Sequence, residues 1–79
     1  MEVLLFGITR EIAGKDRLYI PPEAAVKDVS ALRLWLAENY PQFSGLSSLA
    51  VAVNNEYADD NELLDGASEI ALIPPVSGG

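Results

Sequence analysis

The residues of this 79-residue chain that could do chemistry are the last six, Pro74-Pro75-Val76-Ser77-Gly78-Gly79. If the polypeptide ends at Gly79, a bare carboxylate sits at the tip of an arm. A carboxylate is a poor electrophile because its negative charge is delocalised. Adenylation by ATP would supply a leaving group, and the acyl-adenylate is then open to a sulfur or nitrogen nucleophile. Glycines at the tip let such an arm thread a narrow channel without Cβ clashes and adopt backbone angles closed to other residues. The prolines stop whatever strand precedes them, since proline has no N–H for a ladder. One Val, one Ser and two glycines beyond them bury little against a large ordering entropy. Residues 75–79 therefore read as a flexible tail reaching roughly 17 Å when extended, and residues 1–74 as the domain that carries it.

The remaining residues form no second reactive constellation. With no Cys and no His, disulfides, thiolate chemistry and the commonest general base are all ruled out. Ser and Thr are present, but no His accompanies them as an activating base. The acidic run Asp59-Asp60-Asn61-Glu62 and its continuation to Asp65 lack the alternating ligands and central glycine of a calcium loop, and read as a solvated turn. No bound cofactor or metal is expected, and sulfur used in any reaction must come from outside. Five basic against twelve acidic residues give a net charge of −7. That balance disfavours nucleic acid and anionic membranes and suits a basic protein partner. Met1-Glu2 runs straight into a strand pattern with no leader, and the apolar runs are too short to span a bilayer. A cytoplasmic protein is the expectation.

The elements that must position the tail follow from hydrophobic patterning. Val3-Leu4-Leu5-Phe6 with Gly7-Ile8 is a continuous apolar run of strand length, and residues 10–16 read as a polar, glycine-bearing connection. Arg17-Leu18-Tyr19-Ile20 is a second strand ending at Pro21-Pro22. Asp28 is a candidate N-cap for a helix to about Asn39, where Tyr40-Pro41 stops it. Val29, Leu32 and Leu36 make its apolar stripe, with Trp35 beside them as packing; Leu34 lies off the stripe unexplained. Residues 44–48 are a loop or single turn, and residues 49–53 a third strand. Asn54-Asn55 has turn chemistry. After the acidic loop, Leu63-Leu64 returns to the core, and residues 65–67 turn into a last strand, Glu69–Ile73. The order is strand, strand, helix, strand, short strand or turn, strand. One helix covers one face of a mixed sheet whose first and last strands, the most apolar, are central. That is an α+β roll of the ubiquitin-like, β-grasp kind.

Strand parity then locates a second feature. If Val3 and Leu5 face the helix, then Leu4, Phe6 and Ile8 face away, as do Ala71 and Ile73 when Ile70 and Leu72 point inward. Phe6 and Ile73 would share an uncovered apolar patch at the root of the arm. Patches of that kind mark protein interfaces.

These segments resemble the small subunits of molybdopterin synthase, a family of ubiquitin-like sulfur carriers. The likeness is carried by Val3-Leu4-Leu5-Phe6-Gly7 with Arg10-Glu11, Tyr40-Pro41, Ala52-Val53-Asn54 and the run from Glu69 through Pro-Pro-Val-Ser-Gly-Gly. The resemblance implies a carrier cycle. A ubiquitin-activator-like enzyme adenylates Gly79 with ATP, and a sulfur relay makes the thiocarboxylate. The arm then enters the large subunit of a heterotetramer and gives sulfur to cyclic pyranopterin monophosphate, building the dithiolene of the molybdenum cofactor. Gly79 is the modified residue and Gly78 the threading one. Phe6, Arg10, Tyr57 and Ile73 fall where the family has its interface, continued by Pro74, Pro75, Val76 and Ser77. The complex is a sulfurtransferase to which this chain brings a terminus and no catalytic side chain. The family usually enters its last strand through Asp-Gly-Asp-Glu, whereas this chain has Gly66-Ala67-Ser68-Glu69, so the turn either slips onto Gly66 or changes type.

Three other functions fit parts of the pattern. A carrier for thiamine thiazole, cysteine or tRNA thiolation would share Gly-Gly, though Pro-Pro-Val-Ser argues against it. A ubiquitin-like modifier would end as an isopeptide on lysines. A plain interaction domain would have an inert tail.

Overall fold

The computed structural model describes residues 1–45 and 49–74. Its elements in order are β1 (Glu2–Leu5), α1 (Gly7–Ala13), β2 (Arg17–Tyr19), α2 (Val29–Asn39), β3 (Ala50–Val53), β4 (Glu56–Ala58) and β5 (Ile70–Ile73). Short 3-10 turns cover Pro22–Ala24 and Pro41–Gly45. The strands form one mixed sheet in the order β2-β1-β5-β3-β4. β1 and β5 run parallel, with Val3, Leu4 and Leu5 opposite Ile70, Ala71 and Leu72. The other pairings are antiparallel. This is the β-grasp arrangement, with the first and last strands central as their apolar character requires.

Alternation along the strands sends one set of side chains into the core. Val3, Leu5, Leu18, Val51, Ile70 and Leu72 are buried under Val29, Leu32 and Leu36 of α2. Those helix residues are the expected stripe. Trp35 is half-buried against the core, its ring 6.4 Å from that of Tyr40, which stacks on Phe43 at 5.4 Å. Leu34 points to solvent.

The start of α2 gives the acidic loop a structural task. The Asp28 carboxylate accepts from the Ala31 N–H at 2.8 Å, as an N-cap does. The Val29 and Ser30 N–H groups donate to the carbonyls of Glu62 and Asp60, both at 3.0 Å. Three of the donors a helix leaves unmatched at its start are thus satisfied. Arg33 ties the same loop down, donating from Nε to Asp60 at 3.1 Å and from a terminal nitrogen to the Leu49 carbonyl at 2.9 Å.

The sequence reading needs correction in three places. α2 is the main helix expected on the sheet, but it is not alone, because the chain leaves the sheet after Leu5 and residues 7–13, read as strand and connection, form α1. Gly7, at φ +53°, breaks the strand, while Thr9, Ile12 and Ala13 give the helix an inward side, and Gly14 ends it in the left-handed region. Ile8 therefore belongs to a helix and does not extend the strand. Of the pair Leu63-Leu64 only Leu64 is buried. Leu63 forms a bridge with Asp28, and extended neighbours point opposite ways.

The turn into β5 changes type and does not slip. The Asp65 carboxylate accepts from the Ala67 N–H at 2.8 Å, the Asp65 carbonyl accepts from the Ser68 N–H at 3.1 Å, and the Ser68 hydroxyl accepts from the Asp65 N–H at 3.0 Å. This side-chain-braced turn leaves neither Gly66 nor Ala67 at positive φ, so glycine is not required at either.

Candidate functional site: the open sheet face and the root of the tail

The face away from α2 carries the alternate residues of the same strands. Leu4, Ala71 and Ala52 lie side by side across β1, β5 and β3, by the registers Leu4–Ala71 and Ala52–Ala71. Tyr57 of β4 lies opposite Ala52. Phe6 and Ile73 extend the row at the ends of β1 and β5. Together with Asn55 and Glu69 these residues line a shallow depression of about 380 Å³. Its small floor of alanines and its large walls follow from the sequence. Ala52 and Ala71 leave room, and Phe6 and Tyr57, 48% and 77% exposed, stand at its borders.

Each wall is held by local chemistry. Tyr57 sits on a hairpin whose turn residues Asn54 and Asn55 take φ +52° and +70°, values that asparagine tolerates. The Asn54 side-chain oxygen accepts from the Glu69 N–H at 2.9 Å, and the Asn54 backbone N–H donates to the Glu69 carbonyl at 2.8 Å. Glu69 is thereby fixed at the rim. Phe6 is held by Thr9, a fully buried polar residue, whose hydroxyl donates to the Phe6 carbonyl at 2.6 Å and accepts from the Phe6 N–H at 3.1 Å.

The structure thus brings Phe6, Tyr57 and Ile73 onto one surface, as expected, with Pro74 following directly from Ile73. Arg10 is not among the residues lining the depression. It lies exposed on α1, 4.0 Å from Asp16 across a solvent-exposed pair. The expectations for Pro75, Val76, Ser77, Gly78 and Gly79 fall outside the described residues. Gly7 and Thr9 were missed by sequence reasoning. The usable signal was a glycine interrupting an apolar run, followed by Thr9, Ile12 and Ala13 at helical spacing and Gly14 as a stop.

Chemically, this surface is suited to binding. Among the described residues no group of three or more acidic side chains could hold a metal, and none of the described buried side-chain polar atoms lacks a partner. No described helix is long and apolar enough to cross a membrane. An exposed aromatic and aliphatic face beside a glutamate fits a protein surface with a matching apolar patch and a basic rim.

Known proteins resemble this chain over nearly their whole length. The sulfur carrier subunit of molybdopterin synthase from Dictyostelium discoideum is 37% identical over 81 residues, which covers 99% of this chain and 94% of that one. Among solved structures, the small archaeal modifier protein 1 of Methanosarcina acetivorans superposes with a TM-score of 0.78 at 27% identity, covering 99% of this chain and 94% of that one. A Helicobacter pylori complex of subunits 1 and 2 of the molybdopterin-converting factor contains a chain that is 32% identical, with a TM-score of 0.67 and coverage of 99% and 96%. The match to the ThiS family runs over residues 3–79, and the chain belongs to that family.

Proposed function

We propose that this chain is the sulfur-donating subunit of a molybdopterin synthase and works in the cytoplasm. The reading is carried by an apolar open face that runs into Pro74, the residue before Pro-Val-Ser-Gly-Gly. It draws support from a full-length relative that is a molybdopterin synthase sulfur carrier subunit and from the paired subunits of the Helicobacter pylori complex.

The mechanism uses the terminus and no side chain of this protein. On a ubiquitin-activator-like enzyme, a Gly79 carboxylate oxygen attacks the α-phosphorus of ATP and pyrophosphate leaves. A sulfur nucleophile then adds to the acyl carbon, and AMP departs with the C–O bond. With the outer sulfur of a relay persulfide as that nucleophile, the product is an acyl disulfide. A second thiol attacks the relay's sulfur and the S–S bond breaks. The thiol and the relay leave joined as a disulfide, and Gly79 ends in a thiocarboxylate. The open face docks on the large subunit of a heterotetramer, placing the arm in the large subunit's active site. There the thiocarboxylate sulfur bonds to a carbon of cyclic pyranopterin monophosphate in place of an oxygen substituent. Water cleaves the acyl C–S bond and restores the Gly79 carboxylate, and two such transfers complete the dithiolene. Gly78 is the threading residue that lets the chain pass close to the channel wall.

Intact-mass measurement on protein from its native cells tests the reading. A fraction carrying one sulfur in place of one terminal oxygen, which loses it on incubation with large subunit and precursor, is the expected result. A terminus that never carries sulfur, in cells making the cofactor, refutes it. A second reading, a protein modifier, draws on the likeness to the small archaeal modifier protein. Denaturing gels separate the two, since a modifier gives a ladder of conjugates and a carrier does not.

A further inference from the structure

Gly7 stands where the ends of β1 and β5 meet. The parallel register puts Leu5 opposite Leu72. Two further residues along each chain bring Gly7 beside Pro74. Neither chain can extend the ladder there. Pro74 has no N–H to donate. On the other strand, the Phe6 N–H and carbonyl are both engaged by the buried Thr9 hydroxyl, at 3.1 and 2.6 Å. Packing takes over from hydrogen bonding at this point. A Cβ at position 7 would lie 3.1 Å from Pro74 Cγ, closer than ordinary van der Waals contact, and φ there is +53°. Gly14, at the other end of α1, makes an internal comparison. Its φ of +75° is equally left-handed, yet a Cβ there would meet nothing within 4 Å. Of the described glycines Gly7, Gly14 and Gly66, only at Gly7 do backbone conformation and a close neighbour both demand glycine.

We propose that Gly7, locked by Thr9, is a positioning residue that sets the direction in which the chain leaves the sheet at Pro74. The inference rests on the sulfur-carrier reading only in that Gly79, which follows Pro74 along the chain, is there the reacting residue. A methyl group at position 7 pushes the Pro74 ring by tenths of an ångström.

The test compares Gly7→Ala with Gly14→Ala in the full chain. Both add a methyl group to a left-handed glycine and lose stability. Gly7→Ala alone should shift the amide resonances of Val76 and Ser77. It alone should also lower the single-turnover rate of sulfur transfer by about tenfold or more, with affinity for the large subunit retained within about twofold. In a Pro74→Ala background, where the ring is gone, the effect of Gly7→Ala on the rate should largely disappear. If Gly7→Ala does not fold, Thr9→Val with Thr9→Ser as the rescue replaces it, with the same resonances and rate as readouts. Identical behaviour of the two glycine variants, or a Gly7→Ala effect undiminished without the Pro74 ring, overturns the proposal. So does a Thr9→Val protein with unchanged rate and resonances. A wild-type chain that accepts no sulfur refutes the carrier reading instead, and the resonances of the variants still decide this one.

Discussion

Replacing Phe6 by alanine should weaken docking on the large subunit while leaving a folded protein. Phe6 is 48% exposed, so about half of its side chain is available for burial by a partner. Burying a whole phenylalanine is worth roughly 1.5–3 kcal/mol, which makes the available half roughly 0.7–1.5 kcal/mol. Truncation also leaves the partner's side of the contact without neighbours, raising the loss to about 1–2 kcal/mol. The dissociation constant should then rise about 5- to 30-fold. Leu34→Ala is the matched control. Leu34 is 65% exposed, but it lies on the helix covering the opposite face, so its loss should leave the affinity unchanged. Calorimetric titration of both variants, each checked by thermal melting, measures the difference. A folded Phe6→Ala that binds as tightly as wild type, or a Leu34→Ala that binds as weakly as Phe6→Ala is expected to, refutes the placement of the interface on the open face.

Deleting Gly79, or adding one residue after it, should abolish sulfur transfer while the melting temperature stays put, measured by single-turnover assay and calorimetry. Asp28→Ala removes the cap on Ala31 and should lower unfolding free energy by about 1 kcal/mol in urea, with Asp28→Asn retaining most of it. Asp60→Ala breaks an exposed ion pair and should change stability by less than about 1 kcal/mol. Arg33→Ala should lower stability further in the same urea titration, because it also leaves the Leu49 carbonyl without its donor.

What the sequence made legible were the features with a strong local signal. β1 and β5 announce themselves as dense apolar runs, and α2 by Asp28 at one end and Tyr40-Pro41 at the other. Strand parity alone placed Phe6 and Ile73 on one face, since Val3 and Leu5 could face the core only if their neighbours did not. α1 was hidden because its one fully buried side chain is a threonine, whose polarity is satisfied by the Phe6 backbone and so never shows in a hydrophobic pattern. β4 was legible only as a short strand or turn, for another reason. An edge strand of three residues with a glutamate, a tyrosine and an alanine has too little periodicity to read, and its register comes from the Asn54-Asn55 turn. The turn at Asp65–Ser68 could be narrowed to two geometries but not chosen from sequence, because the choice depends on side-chain bracing by Asp65 and Ser68.

The parallel pairing of β1 with β5 has a functional consequence that an antiparallel pairing would not have. Antiparallel strands would send the end of β5 toward Met1, on the far side of the sheet from Phe6. Running parallel, both strands finish at one edge, so the anchor residue and the exit of the chain are lateral neighbours. A partner that grips the open face therefore holds Pro74 in the same act, and entry of the following segment becomes an intramolecular step. For short connections that corresponds to millimolar effective concentration. Modest affinity for the face then suffices to load the arm, which suits a carrier that must visit an activating enzyme and a synthase in turn. The five residues beyond Pro74 span at most roughly 17 Å. On the carrier reading, each partner must therefore place its reaction centre within that distance of Pro74 while it covers the Phe6–Ile73 patch. On that reading, two unrelated active sites are held to the same geometry by one short arm.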